Sequence, residues 1–241
     1  MLVETVGTGP RVVLVHASVG NARSTWSGQA ELADPFTLVY VTRSGYPPGP
    51  PVDRIDFEDE AARLAEVIEP GDHLVGNSYG GLISLLAAAR RADAVASLTV
   101  GEPPAFRVAR GNPAVEELLG RLEALLAAGP HEPAAYLRAF LPAVGSAVVV
   151  PDPLPPALEQ GAQAASVERP PHEAEVPLAE LERAPFPKLV VSGGHSAGFD
   201  AICDVLERRL GAERAVLPGA GHSVQRAPGF NERLVDFLAR A

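Results

Sequence analysis

Leu74-Val75-Gly76-Asn77-Ser78-Tyr79-Gly80-Gly81-Leu82 reads as the end of an apolar strand, a sharp reversal and the start of an Ala/Leu-rich helix. A serine between two glycines at such a reversal projects its hydroxyl out of the turn. Gly76 and Gly80 have a steric task there, because the neighbouring backbone comes too close for a side chain. The bare Gly-x-Ser-x-Gly pattern also suits an ordinary strand-to-helix loop, so its meaning depends on the rest of the chain.

Working outward, short apolar runs of the kind buried parallel strands need recur at 11–16, Thr37–Val41, His73–Val75, Val95–Val100, Leu189–Val191 and Arg214–Leu217. Helix-period segments lie between them at Asp56–Glu69, Leu82–Arg91, Phe199–Leu210 and Phe230–Ala239. This alternation predicts a mostly parallel, doubly wound α/β sheet with right-handed crossovers. It breaks between Glu102 and Pro187. There Val115, Leu118, Leu119, Leu122, Leu125 and Leu126 keep helical spacing after an Asn112-Pro113 start, and a second helix is expected over Pro133–Phe140. From Pro142 onward the frequent prolines argue against long regular elements. The expected organisation is one overall domain, with a core formed by 1–102 and 187–241 and a helical cap inserted at 103–186.

The 241 residues suffice for one large domain, and 46% hydrophobic with 21% charged residues is the composition of a globular protein. The formal charge of −10 disfavours nucleic-acid binding, which requires a basic stripe. Cys203 is the only cysteine and falls in an apolar-periodic helix, so it reads as a small core residue and excludes an intrachain disulfide. Neither a secretory signal nor an apolar run of about 18 residues is apparent, which gives a cytoplasmic expectation. The expected partner is a small-molecule substrate, with no nucleic acid, no membrane and a homodimer left open.

A serine hydroxyl becomes nucleophilic near neutral pH when a base takes its proton and a third group fixes that base. Gly219-Ala220-Gly221-His222 lies after the last strand and before the terminal helix, so His222 is the candidate base. In a parallel sheet the loops after the strands gather on one edge, which would bring Ser78 and His222 together. The histidines and the single cysteine lack metal-ligand spacing, and neither a dinucleotide fingerprint nor a Walker A loop occurs. No metal and no cofactor are expected. Lys188, the only lysine, precedes a strand at its amino end, which argues against a Ser-Lys dyad.

On the elbow around Ser78, the late Gly-x-Gly-His, the order serine, acid, histidine and the interposed cap, the chain resembles the α/β-hydrolase superfamily over nearly its whole length. That resemblance implies an oxyanion hole from the backbone N–H groups of Ser18 and Tyr79, with Ser18 following His16-Ala17 where members commonly carry His-Gly. Such donors are each worth about 3–4 kcal/mol to a transition state. The Ser18 hydroxyl is open to a substrate contact or a local turn cap. His16 is expected to pack near this loop rather than act as base.

The resemblance places the triad acid in a Gly-x-x-Asp turn after the next-to-last strand, where this chain has Gly193-Gly194-His195-Ser196. Two carboxylates remain. Glu102 ends the strand Val95–Val100, a position some members use, and an unpartnered carboxylate there is costly to bury. Asp200 sits in the first turn of a helix, where the helix dipole alone explains it. Glu102 is therefore the preferred acid and Asp200 the alternative. Trp26, Tyr46, Tyr79, Phe106, Tyr136 and Phe140 are candidates to line the pocket. His195 is open to a site contact or a structural role, while His73, His131 and His172 show no partner pattern.

The expected activity is hydrolysis of a carboxylic ester, lactone or thioester of a small to medium metabolite through an acyl-enzyme. Acyl transfer, carbon–carbon cleavage or cyclisation on the same fold, and a catalytically weak ligand-binding protein, remain as alternatives. The last draws on Ala17 and Ser196, where the chain departs from the family pattern.

Overall fold

A computed structural model describes residues 1–129 and 132–241. Seven strands form one sheet: β1 (Leu2–Gly7), β2 (Arg11–Val15), β3 (Thr37–Thr42), β4 (Asp72–Asn77), β5 (Val95–Gly101), β6 (Lys188–Ser192) and β7 (Glu213–Val216), in the spatial order β1-β3-β2-β4-β5-β6-β7. All neighbours pair in parallel except β1, which runs antiparallel to β3. This first strand is an addition to the sequence-based expectation. All six of its residues are exposed at the sheet edge, so no buried face imposes an apolar run on them.

The helices are α1 (Ala22–Thr25), α2 (Phe57–Val67), α3 (Tyr79–Arg90), α4 (Pro113–Ala128), α5 (Pro133–Ala143), α6 (Pro156–Ser166), α7 (Leu178–Arg183), α8 (Ala197–Leu210) and α9 (Phe230–Leu238). Strand residues alternate between two cores, as a pleated sheet covered on both sides requires. Val13, Val15, Val39 and Val41 face a core with Leu64 of α2, Leu82 of α3 and Leu206 of α8. Val12, Leu14, Leu38 and Tyr40 face another with Trp26, Leu234 and Phe237. The result is the doubly wound α/β-hydrolase fold. Among the described residues no helix is long and apolar enough to cross a membrane.

Among the described residues, four α-helices, α4 to α7, lie between β5 and β6. Helix α4 starts as its sequence dictates: the Asn112 side chain accepts from Ala114 N–H, and Pro113 occupies the first turn. Helix α5 runs three residues beyond the expected end, to Ala143. Helix α6 corrects the expectation that the proline-rich stretch lacks long elements. Pro155 is its N-cap and Pro156 opens its first turn, where no intrahelical N–H is required, and the next proline is Pro170. Tyr136, Leu137, Leu141, Ala162 and Ala165 join α5 and α6 into a small apolar cluster that also holds Val19 of the loop after β2. Gln160 of α6 donates to the carbonyls of Gly45 and Gly49, and Arg169 N–H donates to Ile55 O at 2.7 Å, so this region is tied down at several points.

Candidate active site

Ser78 occupies the reversal between β4 and α3 with φ 51° and ψ −125°. Two backbone approaches make that reversal possible. A methyl at Gly80 would lie 2.4 Å from the carbonyl oxygens of Val15 and His16, and one at Gly76 would lie 2.4 Å from Ser84 Oγ. The elbow is thus pressed against β2 and its own helix, and only glycine fits at either flank.

The loop after β7 brings His222 to this serine, with Nε2 2.8 Å from Ser78 Oγ. On the other side of the ring, Nδ1 lies 2.7 Å from Glu102 Oε2. An ionised carboxylate only accepts, so Nδ1 carries the hydrogen and Nε2 is left with the lone pair that faces the serine O–H. Phe199 stacks on the His222 ring with centroids 4.4 Å apart. His222 N–H also donates to Gly145 O at 3.2 Å.

Glu102 is fully buried at the end of β5, with φ 39°. Its Oε1 accepts from Gly193 N–H at 2.7 Å, and its Oε2 accepts from both His222 and His195, the latter at 2.9 Å. Burial by itself would raise the carboxyl pKa. The hydrogen bonds from His195 and His222, the His222 charge and the Gly193 N–H outweigh it and hold the group down at about 2.

The alternative acid, Asp200, is engaged elsewhere. It accepts from the Ser192 hydroxyl and faces Arg214 at 3.4 Å, making no contact with His222. Ser196, which stands where the resemblance expects an acid, is the N-cap of α8 and accepts from Phe199 N–H.

Tyr79 is the first residue of α3, so its N–H has no intrahelical acceptor. Ser18 shares both clefts at the site with Ser78. Its hydroxyl donates to Glu168 Oε2 at 2.5 Å. Glu168, which comes from beyond α6, also accepts from Tyr46 Oη at 2.7 Å and from the buried Arg43 guanidinium at 2.5 Å. His16 accepts from Arg43 N–H through Nε2 at 3.0 Å and bonds Ala17 O through Nδ1 at 2.6 Å. Burial, aided by the Arg43 charge, pushes its pKa well down, and both ring nitrogens are engaged with backbone groups.

Two clefts meet at Ser78 and His222. One, of about 670 Å³, is walled by Phe106, Leu119, Leu122, Tyr136 and Phe140 from the interval between β5 and β6, with Tyr79 also at its edge. The other, of about 860 Å³, passes along Val19, Leu158 and Gln225. Trp26 and Tyr46 are corrections to the expected lining. Trp26 is fully buried in the core on one face of the sheet, and Tyr46 is fully buried beneath the site, where its hydroxyl is spent on Glu168.

Two residues that matter to the geometry were not legible as such in the sequence. Glu168 follows no motif, and its role arises only when Arg169 pairs with Ile55 and carries it under Ser18. His195 carried a faint signal, its nearness to the expected acid turn. His73 bonds Ser97 within the sheet at 2.8 Å, and His172 lies on the wall of the cleft that holds Phe106 and Leu122, 3.8 Å from Glu123. His131 lies outside the described residues. Lys188 donates to Ala184 O and Phe186 O at the amino end of β6, remote in the sheet from the serine. Ligand atoms of Glu102, His195 and His222 lie within 4.8 Å of one another, a spacing compatible with a metal ion, but here they are spent on hydrogen bonds to each other.

A family model described as "Alpha/beta hydrolase family" matches residues 12–232. A pimeloyl-[acyl-carrier protein] methyl ester esterase of Methylococcus capsulatus is 35% identical over 101 residues, 42% of this chain and 39% of the relative. A protein of the same description from Chromobacterium violaceum is 37% identical over 108 residues, 44% of this chain and 42% of the relative. The matched part thus spans about two fifths of the length of either relative. Among solved structures, an alpha/beta hydrolase from Sphaerobacter thermophilus superposes with a TM-score of 0.68 at 26% identity, covering 98% of this chain and 95% of that one. With the strand order, the elbow and a family match across most of its length, the chain belongs to the alpha/beta hydrolase family.

Proposed function

We propose that this protein is a serine hydrolase that cleaves a carboxylic ester, thioester or lactone of a small to medium, mostly apolar acyl group through an acyl-enzyme. The observation that carries this reading is the continuous line of hydrogen bonds Ser78–His222–Glu102, at 2.8 and 2.7 Å. As Ser78 Oγ attacks the substrate carbonyl carbon, its proton passes to His222 Nε2, and Glu102 stabilises the imidazolium that forms. The carbonyl oxygen, now an oxyanion, is received by the N–H groups of Ser18 and Tyr79. His222 then gives the proton to the departing alcohol or thiol, leaving an ester on Ser78. A water takes its place, loses a proton to the same nitrogen and attacks. The acid departs as the proton returns to Ser78.

Helices α4, α5 and α6 act as the cap in this reading. The aromatic and leucine wall they present to the serine supports an apolar acyl group, since Leu119, Leu122, Tyr136 and Phe140 offer a charged chain no compensating contact along their stretch of the cleft. The description of the two bacterial relatives as methyl ester esterases agrees with the carboxylic ester class.

Labelling with a fluorophosphonate, followed by peptide mapping, tests the proposal. Modification confined to Ser78 and lost in His222→Ala is the expected result. Labelling that survives in Ser78→Ala, or an intact protein that fails to react while a small activated ester also goes unhydrolysed, overturns it.

A further inference from the structure

We propose that His195 is a positioning residue that shares the Glu102 carboxylate with His222 and thereby sets how strongly Glu102 supports the base. The proposal rests on the triad reading above. Its starting point is geometric. Two imidazoles donate to one oxygen, Glu102 Oε2, at 2.7 Å from His222 and 2.9 Å from His195. The remaining oxygen is held by Gly193 N–H. Both His195 and Gly193 belong to the turn after β6. That turn supplies no acid, yet it supplies two of the three donors that keep a fully buried carboxylate ionised.

The surroundings are shaped to keep the His195 ring in place. Gly145 has φ 74°, and a methyl added there would lie 2.4 Å from His195 Nδ1. The same Gly145 uses its carbonyl to hold His222 N–H at 3.2 Å. One glycine thus seats both histidines: its missing side chain admits one ring, and its oxygen fixes the backbone of the other.

The His195 side chain is 18% exposed, against 10% for His222 and 0% for Glu102. The titratable and charged groups around it are Glu102 and His222 on the inner side, Asp200 on α8, and Glu117 and Arg121 of α4 across the shallow hollow onto which it opens. The hydrogen bond to Glu102 is the largest influence on its proton affinity and raises it, opposed by burial and assisted by the Glu102 and Asp200 charges. When His195 is protonated, the Glu102 charge is largely answered by His195 and less of it reaches His222, so His222 is the weaker base. As pH rises and His195 loses its proton, the carboxylate charge is returned to His222. The acidic limb of kcat/KM therefore contains a second ionisation that does not belong to the base itself.

Glutamine at 195 still donates an N–H but does not titrate, and leucine fills the volume without donating. His195→Gln is expected to keep kcat within about threefold, while His195→Leu loses about tenfold in kcat at unchanged KM, the cost of a lost hydrogen bond to a charged acceptor. Nitrogen-15 NMR titration of the His222 ring reads the coupling without any turnover. Two inflections in the native protein, reduced to one in both variants, are expected. A single inflection at the same midpoint in all three proteins overturns the proposal, as does an equal loss of kcat in Gln and Leu, which marks a merely structural ring. Two inflections in a protein that hydrolyses no ester uphold the shared carboxylate and reject only the hydrolase reading.

Discussion

Val19, Ser78 and Glu102 are the only non-glycine residues with positive φ among the described residues, at 77°, 51° and 39°. All three border the candidate site: Val19 follows Ser18, Ser78 is the proposed nucleophile and Glu102 the proposed acid. Such backbone is unfavourable for residues with a side chain, and it persists where surrounding packing over-determines it. Ser78 is held by its N–H on Gly101 O at 2.7 Å, and Glu102 by its N–H on Val191 O at 2.9 Å. The importance of Glu102 can be tested twice over. Glu102→Gln preserves shape but removes the charge that stabilises the imidazolium, so kcat should fall by about 10³- to 10⁴-fold in steady-state ester hydrolysis. The second test concerns stability. The folded-state carboxyl is held at about 2, below its ordinary 4.5, so its contribution is complete above the unfolded value and drains away as pH falls toward 2. Melting temperatures measured from pH 5 down to pH 2 should therefore decline less steeply in Glu102→Gln than in the native protein. Parallel declines would mean the acid has no such linkage. At this scale Ser78 and His222 were legible because the turns that present them require glycines at set offsets. Glu102 was legible only as a burial argument, and His195 and Glu168 scarcely at all, because their partners come from 93 and 150 residues away.

At the level of elements, α6 connects the region above the serine to the loop that carries Ser18. Its Gly161 is packed so tightly that an added methyl would lie 1.9 Å from Val19 O. Glycine in a helix interior normally costs about 1 kcal/mol relative to alanine. Gly161→Ala should reverse that rule, destabilising the protein in urea unfolding and lowering kcat by moving the oxyanion segment away from Ser78. An unchanged kcat with raised stability would show that the contact is soft. Helix α6 also illustrates what sequence patterns miss. Prolines suggest irregularity wherever they cluster, yet at a helix start they sit where no N–H is used. The opposite lesson comes from α4 and α8, which begin at the side-chain caps Asn112 and Ser196. Asn112-Pro113 was readable as a helix start, whereas Ser196 was read against a family acid rather than as the cap it is.

On the scale of the molecule, the sheet order brings the carboxyl ends of β4, β5, β6 and β7 side by side, and the loops that follow them deliver Ser78, Glu102, His195 and His222. The core beneath is continuous across β4, β5 and β6, and Cys203 lies within it, fully buried on α8. Burial pushes its thiol pKa strongly upward, so it should stay unreactive until the core opens. Reaction with DTNB in increasing urea should follow the global unfolding transition seen by circular dichroism; rapid labelling in native buffer would reveal a local opening around α8. The chain by itself determined the alternation of strands and helices, the elbow and the late histidine, because these depend on neighbours within a few residues: apolar period, caps and glycines at tight turns. Only the tertiary structure decided which carboxylate serves His222, that a second imidazole shares it, and that Trp26 and Tyr46 belong to the interior rather than the pocket wall. Those outcomes are set by distances between segments far apart along the chain, and no local pattern encodes which of two acids a folded loop will reach.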